Sequence, residues 1–287
     1  MSTQLADLPA RPLGPQGVIW YAAADVRALV AVIRLLVHQV AHPMVGAGVG
    51  EHSVYKTDPW GRLLRTTNSV VSSVYGGVDA AVEGQRLLRM HAQIKGVDAA
   101  GRRYHALDPD AYAWVHATAH EGTRLFLLEA GPGLTDAQDE QLFTEWRRLG
   151  LLIGVRDSAL PRTRAEFWEL WDRTLPQLEN NPVVQDLLWS APTAPPYVPQ
   201  KLVDLASAPV LRRQREVMAV TLDPALRARI GLPEPTDRVR RRVQRTMRLM
   251  RLGNGLPERV RHNPLTWRSA ARIAADPRLG PEPVRYP

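Results

Sequence analysis

The sequence predicts an all-α fold, a bundle of many helices with few or no strands. Apolar residues recur at helical spacing through most of the chain. Alternating apolar and polar residues, the pattern of half-buried strands, are absent apart from a short hairpin expected around residues 97–107. Two Asp-Pro pairs, Asp58-Pro59 and Asp108-Pro109, are typical helix starts, because aspartate caps the first turn and proline suits its first position.

The longest apolar run, residues 18–41, predicts a buried helix rather than a membrane span. Three charged residues interrupt it: Asp25, Arg27 and Arg34. A helix that crosses a bilayer needs about 20 residues that are nearly free of charge. Within the run, residues 26–40 are apolar on both faces, which indicates a central helix, and His42-Pro43 is expected to end it.

The remaining elements follow from caps and helix breakers. Further helices are expected from residue 59 to the Gly-Gly break at 76–77, from there to 96, from 109 to about 127, from 136 onward, and over 164–178, 209–222 and 236–252. The proline-rich stretch 191–199 is typical of a rigid extended connector. We therefore expect an N-terminal tail over 1–13, one helical domain over 14–255, and an irregular C-terminal tail over 256–287 that packs on the domain.

The composition excludes several classes of site and partner. The 287 residues include no cysteine, which removes disulfides, iron–sulfur clusters, cysteine zinc sites and covalent heme attachment. The net charge of +8 comes almost entirely from arginine, which commonly pairs with carboxylates, so we expect no nucleic-acid partner. The N-terminus lacks a basic segment followed by an apolar one, so we expect no signal peptide and a cytoplasmic location.

One histidine, His91, lies on a helix face of apolar and very small residues. At helical spacing its neighbours are Leu87, Leu88 and Ile94. Two turns back comes Gly84. Such a face can pack in the core like any other, or it can leave a flat slot into which one imidazole nitrogen points, as an iron porphyrin requires. The sequence alone leaves both interpretations open.

Two histidine pairs have one-turn spacing, His38/His42 and His116/His120. Each pair could ligate one metal from one helix face, but no third ligand is evident nearby, and we expect ordinary packing or capping roles. The segment after His120 begins like a zincin motif, which fails because Arg124 stands where the second histidine belongs. His116 and His120 are second-tier candidates for contacts with a cofactor.

Two groups of residues that include arginines have alternative interpretations. The first shares one helix face and comprises Arg62, Arg65, Thr66 and Thr67. It is either an exposed cationic face or a polar cluster that donates hydrogen bonds to bound dioxygen or holds a propionate. The second is the amphipathic, arginine-rich helix 236–252, which can contact nucleic acid or an anionic membrane. A docked surface helix with solvated arginines is our expectation, because no aromatic residues are interleaved with the arginines.

Short motifs occur in a specific order along the chain: Gly14-Pro15, Gln39-Val40-Ala41-His42-Pro43, Asp58-Pro59-Trp60-Gly61-Arg62-Leu63-Leu64-Arg65-Thr66, Arg89-Met90-His91-Ala92-Gln93-Ile94-Lys95-Gly96, Tyr104-His105-Ala106-Leu107-Asp108-Pro109, Trp114-Val115-His116 and Leu152-Ile153-Gly154-Val155. This ordered set resembles the MpaB / latex clearing protein (rubber oxygenase) family of bacterial and fungal oxygenases. Residues 224–227 and the arginine-rich helix are similar to that family's C-terminal part.

The resemblance implies a mainly helical fold with a globin-like core and a non-covalent heme b. It implies that His91 is the proximal ligand of the heme iron, and that Arg62, Arg65 and Thr66 lie near the distal side. An arginine stands where the rubber oxygenases have lysine, and because arginine stays protonated it makes a poor iron ligand. Further candidates for cofactor contacts lie on the helix face of His91 and in the second histidine pair: Gly84, Leu87, Leu88, His116 and His120.

We therefore expect a heme-dependent oxygenase that acts with dioxygen on an apolar small molecule. Characterised relatives cleave a carbon–carbon double bond of an isoprenoid chain, so the resemblance implies an alkene-containing substrate. The secretion signal of the rubber-cleaving members is missing, which argues against an extracellular polymer. We expect a monomer or homodimer without a transmembrane segment. Two alternatives stay open: a non-catalytic heme-binding or sensor protein, and a cofactor-free helical protein of the same fold.

Overall fold

The structure of the protein, a computed structural model, describes residues 13–14 and 17–275 and confirms the all-α prediction. Within this part of the chain there are fourteen α-helices: α1 Val18–Ala24, α2 Leu29–Ala41, α3 Pro43–His52, α4 Pro59–Tyr75, α5 Ala80–His91, α6 Pro109–Glu129, α7 Asp136–Leu152, α8 Arg164–Thr174, α9 Pro182–Trp189, α10 Gln200–Thr221, α11 Pro224–Arg229, α12 Asp237–Leu252, α13 Glu258–Arg261 and α14 Pro264–Ala275. The strands β1 (Lys95–Val97) and β2 (Arg103–His105) pair antiparallel, which confirms the expected hairpin.

The two Asp-Pro helix starts are confirmed by their caps. The Asp58 carboxylate accepts a hydrogen bond from the backbone N–H of Gly61 in the first turn of α4. Asp108 accepts from the N–H groups of Asp110 and Ala111 at the start of α6. These bonds satisfy backbone donors that have no partner within the helix, so the position of each start is set locally.

The long apolar run 18–41 divides into two helices at Asp25, which corrects the expectation that the run forms one buried helix. The central helix expected over residues 26–40 is present as a short 3-10 turn, Val26–Ala28, followed by α2. α1 stops before Asp25, which caps a short 3-10 turn by accepting from the N–H of Arg27. α2 ends where expected, yet Pro43 also begins α3, because proline at the first position of a helix needs no donor. The His42-Pro43 pair therefore marks both the end of α2 and the start of α3.

α2 and α6 pack against each other at the centre of the molecule and carry its most buried residues. Val37 of α2 and Trp114 of α6 have no exposed surface. Trp114 Nε1 donates to the backbone oxygen of His38, 2.9 Å away. Trp171 of α8 lies against Trp114 with ring centroids 4.8 Å apart, and Trp146 of α7 completes this aromatic core.

Two ionic contacts inside the fold join distant parts of the chain. Arg34 of α2 forms an ion pair with Glu121 of α6, and both side chains are largely buried. The fully buried carboxylate of Asp25 pairs with Arg27 at 2.7 Å and with Arg261 of α13 at 2.9 Å. Charges in such places depend on their partners, because an unpaired buried ion is strongly destabilising.

The predicted irregular C-terminal tail contains α13 and α14 in its described part, residues 256–275, which corrects that expectation. α13 has no side-chain cap, and this is why local signals missed it. A backbone hydrogen bond of 2.8 Å from Asn263 to Ala24 ties the segment to α1. The rest of that tail and the predicted N-terminal tail up to residue 12 lie outside the described residues.

α10 begins at Gln200, well before Pro209, where its start is expected. Pro209 lies inside the helix, on a stretch that is largely exposed. Among the described residues no single helix combines the length and the apolar composition of a membrane span. The segments 26–41 and 43–52 reach that composition only as a pair, and the pair is bent by 101°.

Candidate functional site

His91 is the last residue of α5 and is half-buried. Its Nδ1 atom lies 2.9 Å from the backbone oxygen of Leu87, one turn earlier. A carbonyl oxygen only accepts hydrogen bonds, so Nδ1 carries the hydrogen and the lone pair of the ring is on Nε2. The imidazole is therefore held in the tautomer that presents Nε2 as a ligand atom.

The surroundings of His91 favour the neutral imidazole. Burial lowers the pKa of His91, and the positive charge of Arg86 acts in the same direction, against the opposing effect of the hydrogen bond to Leu87. The ring meets the edge of Tyr112 on α6, with centroids 5.4 Å apart. The Tyr112 hydroxyl donates to the backbone oxygen of Ile153 at 3.0 Å, which holds this ring in place. Sequence reasoning misses Tyr112, because no spacing rule links it to a residue on another helix.

α4 and α5 pack against each other as an antiparallel pair, and His91 lies at the end of the pair away from the short connection between them. The Ser69 hydroxyl of α4 donates to the Glu83 carboxylate of α5, which fixes the alignment of the two helices. Seven residues before Ser69 is Arg62, and seven residues after Glu83 is Met90, the neighbour of His91. Because helices rise equally per residue, the first turns of α4 and the last turn of α5 lie at the same end of the pair.

Arg62 is half-buried and carries a charge without a counter-charge. Among the described residues its guanidinium forms no hydrogen bond and no ion pair. Burial lowers the pKa of Arg62, and the neighbouring Arg65 adds to this effect while Tyr55 opposes it. An arginine nevertheless stays protonated at neutral pH. A half-buried guanidinium with free N–H groups suits an anionic group of a ligand, since a polar group taken out of water needs a partner.

Arg65 and Thr66 are exposed, unlike Arg62. The guanidinium of Arg65 donates to the Asp58 carboxylate at 3.1 Å, the same carboxylate that caps α4. The structure therefore divides the predicted polar cluster: one arginine is half-buried and unpaired, and the other is paired in water. The distal roles of Arg65 and Thr66 stay predictions.

Exposed aliphatic side chains accompany these polar groups. Leu63 and Leu64 lie next to Arg62 on α4, and Met90 precedes His91 on α5; all three are exposed. Together they place apolar surface, one unpaired cation and one imidazole at a single end of the helix pair. Contiguous exposed apolar side chains often mark a binding surface. We call this end, defined by these five residues, the open end of the α4–α5 pair.

Gly84 does not keep a slot open, which corrects the prediction for this residue. A Cβ atom at Gly84 would lie 2.1 Å from the backbone oxygen of Leu152, so α7 already fills the space beside it. Leu88 packs against Gly154 in the same way, since a Cβ there would lie 2.6 Å from Leu88 Cδ1. The face of α5 that precedes His91 is thus a helix-packing face.

The rings of His116 and His120 belong to the aromatic core between α6, α7 and α8. His116 stacks on Trp146 with ring centroids 4.9 Å apart and donates from Nε2 to the Trp146 backbone oxygen at 2.7 Å. His120 meets the ring of Phe167 edge-on at 4.6 Å. Burial lowers the pKa of His116 to about 4 and that of His120 to about 3. Contacts of these histidines and of Leu87 with a cofactor stay predictions.

His38 makes the same local hydrogen bond as His91, but its position is fully buried. Its Nδ1 atom donates to the backbone oxygen of Arg34 at 3.0 Å, and Nε2 has no partner among the described residues. The ring has no exposed surface and lies 5.2 Å from that of Trp171. His42 lies at the junction of α2 and α3 in an extended conformation, so the two histidines do not share a helix face. Within the described part of the chain, no group of three or more histidine or acidic residues could hold a metal ion.

The sequence matches a known protein family over most of its length. The family is described as ER-bound oxygenase mpaB/B'/Rubber oxygenase, catalytic domain, and the match covers residues 20–252. Two curated relatives are the uncharacterized proteins Mb2261 of Mycobacterium bovis and Rv2237 of Mycobacterium tuberculosis, each 29% identical over 163 residues, or 53% of this chain. The chain spans 62% of the length of each of these relatives. No solved structure matches the chain.

Proposed function

Because the chain belongs to the family ER-bound oxygenase mpaB/B'/Rubber oxygenase, catalytic domain, as its motifs predict, we propose that it holds heme b through His91 and uses dioxygen to oxidise an apolar small molecule. One observation carries the proposal. The hydrogen bond from His91 Nδ1 to the backbone oxygen of Leu87 leaves Nε2 free as a ligand for iron.

The open end of the α4–α5 pair fits the chemistry of heme b in three respects. The Nε2 lone pair of the neutral His91 imidazole would hold the heme iron. The unpaired guanidinium of Arg62 offers charged N–H donors, which suit a propionate carboxylate. The exposed side chains of Leu63, Leu64 and Met90 suit the apolar faces and edges of the macrocycle.

The residues of this end have distinct tasks in the proposed reaction. Heme b, when bound, supplies an iron centre that activates dioxygen toward a carbon–carbon double bond. His91 stays neutral because burial lowers its pKa, so its lone pair is available at neutral pH. Leu87 and Tyr112 fix the orientation of the imidazole ring. Arg62 holds a carboxylate or stabilises negative charge that develops during the oxidation.

The substrate class we propose is an apolar molecule with an alkene, of the isoprenoid kind implied by the family resemblance. The aliphatic side chains of the open end would bind such a molecule through burial of apolar surface and exclude water from the reacting atoms. Arg62 is the single charged group of the open end, which favours a neutral substrate once it is engaged with a propionate. The cytoplasmic location and the monomeric or dimeric state stay predictions.

Heme binding is tested by adding hemin to the purified full-length chain and following the Soret band. We expect a saturable shift of the band for the unchanged chain and none for His91→Ala, because that variant lacks the ligand nitrogen. Free imidazole added to the His91→Ala protein should restore the shift, because it can occupy the space of the missing ring. The control is His120→Phe, which keeps the core filled and should bind hemin normally.

The result that overturns the proposal is a His91→Ala protein that titrates with hemin like the unchanged chain. Catalysis is tested separately, by oxygen uptake and carbonyl formation with squalene as an isoprenoid probe. We expect uptake by the hemin-loaded protein and none by the loaded His91→Ala protein in the absence of imidazole. Heme binding without oxygen uptake on any apolar alkene would support the sensor alternative instead.

A further inference from the structure

α12 carries a row of arginines that the proposed oxygenase site does not use. Four exposed arginines lie on one face of the helix at spacings of three and four residues: Arg238, Arg241, Arg245 and Arg248. None of them forms an ion pair among the described residues. The other arginines of the helix are engaged, for example Arg240 with Glu234 and Arg242 with Glu216 at 2.6 Å. The row is therefore a free cationic stripe and not half of a salt-bridge network.

Exposed aliphatic side chains continue the same face toward the C-terminus of α12. Leu249 and Leu252 follow Arg245 and Arg248 by four residues each and are 68% and 75% exposed. Three further exposed residues follow or lie beside them: Leu256, Val260 and Leu29. Leu29 belongs to this group because Arg27, two residues earlier, donates to the backbone oxygen of Met250 at 2.6 Å. We call the four arginines and these five aliphatic residues the α12 surface.

The α12 surface places unpaired arginines beside exposed aliphatic side chains, and contact of the aliphatic side chains with water is unfavourable. Solvated arginines need no aliphatic neighbours, and clusters of exposed leucines on a monomer mark a surface that binds something. A nucleic-acid backbone would engage the arginines but leave the leucines in water. The interface of an anionic bilayer engages both, because phosphate groups lie next to the apolar boundary of the acyl chains.

We propose that the α12 surface binds the interface of an anionic phospholipid bilayer. α12 lies parallel to the membrane plane, with its arginines on lipid phosphates and Leu249, Leu252 and Leu256 inserted among the headgroups. Val243 and Met247, on the opposite face of the helix, are buried in the core, so the helix binds without leaving the fold. This proposal does not depend on heme, and it places an enzyme for apolar molecules where such molecules dissolve.

The experiment is co-sedimentation of the full-length chain with vesicles. Vesicles of equal parts phosphatidylglycerol and phosphatidylcholine should bind the protein, and vesicles of phosphatidylcholine alone should not. Raising the salt from about 0.15 M to about 1 M should release most of the protein, because the Debye length falls from about 8 to about 3 Å. The triple variant Arg241→Gln, Arg245→Gln, Arg248→Gln should weaken binding about 100-fold, at about a factor of five per basic residue near the surface.

Matched variants distinguish binding through the α12 surface from binding through net charge or through exposed apolar side chains elsewhere. Leu249→Ser with Leu252→Ser should weaken binding about tenfold. The control pair Leu202→Ser with Leu205→Ser, on α10, has the same spacing and is 59% and 81% exposed in the parent, and it should bind as the parent does. The charge control removes three exposed arginines elsewhere: Arg156→Gln, Arg162→Gln and Arg173→Gln.

Three outcomes would overturn the proposal. The first is equal binding to charged and neutral vesicles. The second is an equal loss of binding in the α12 variants and their controls. The third is tighter binding to a double-stranded DNA oligonucleotide than to anionic vesicles at the same salt, with the leucine variants unaffected, which would assign the arginine row to nucleic acid.

Discussion

The core around α2 and α6 and the open end of the α4–α5 pair use the same residue types in opposite ways. In the core, Arg34 is paired with Glu121, and His38 is enclosed by tryptophans. At the open end, Arg62 has no partner among the described residues, and His91 is half-buried beside exposed aliphatic side chains. Satisfied groups indicate a structural role, whereas unsatisfied groups near solvent indicate a ligand.

The two histidines show that local geometry alone does not make a ligand. His38 and His91 both donate from Nδ1 to the carbonyl oxygen one turn earlier, at 3.0 and 2.9 Å. The difference is access: a porphyrin could not approach His38 without displacing Trp114 and Trp171. Of the two, His91 combines this tautomer with a half-buried position.

The largest expected effect is on the free energy of unfolding, and it compares substitutions of Arg34 and Arg62. Arg34→Met leaves Glu121 as an uncompensated, largely buried charge and should lower the free energy of unfolding by about 3–5 kcal/mol. Arg62→Met removes a charge that has no partner, so the free energy of unfolding should change by less than about 1 kcal/mol, while hemin affinity falls about tenfold. Urea denaturation and hemin titration measure both. Equal destabilisation by the two substitutions would contradict the difference between a paired arginine in the core and an unpaired one at the open end.

The next effect tests whether α5 packs on α7 where a cofactor slot was predicted. Gly84→Ala places a Cβ against the backbone oxygen of Leu152 and should destabilise the fold by about 3 kcal/mol, because two helices must move apart. The control is Gly255→Ala, where nothing lies within 4 Å of the new atom. Thermal unfolding of both variants gives the comparison. A Gly84→Ala protein of unchanged stability would mean that the space beside Gly84 is open after all.

The smallest effect concerns how the buried histidines make the stability of the fold depend on pH. His120 has a pKa of about 3 in the folded state and about 6.5 when unfolded, so only the unfolded chain gains this proton between pH 7 and pH 5. Acidification from pH 7 to pH 5 therefore lowers the free energy of unfolding, by about 2 kcal/mol for this residue. His120→Phe should lose about 2 kcal/mol less than the unchanged chain over that interval, as measured by urea denaturation at both pH values. An identical pH dependence would show that His120 is not held neutral.

Much of the fold could be predicted where the signal is local. Asp58 and Asp108 fix the starts of α4 and α6 through hydrogen bonds to residues two or three positions away. α9 and α11 carry the same kind of start, Asn181-Pro182 and Asp223-Pro224, but their eight and six residues give too little periodicity to be recognised. α13 has no side-chain cap at all, so nothing local marks it.

The candidate site could be predicted in part, for a different reason. His91 stands out because its neighbours are apolar and the motif around it belongs to a family. The contact of Gly84 with Leu152 depends on how α7 approaches α5, which no spacing rule contains. Arg62 and Arg65 are equivalent in sequence, and they differ in the structure by the burial of Arg62 and the pairing of Arg65 with Asp58.

The contact between Asp25 and Arg261 has a consequence for how this chain is made. The two residues are 236 positions apart, so at about 5–20 residues per second the aspartate is synthesised on the order of 10–50 s before the arginine. Arg27 donates to both carboxylate oxygens of Asp25 and can neutralise it during that interval. The nascent chain thus carries a temporary counter-ion, and α13 can join α1 only after most of the protein has left the ribosome.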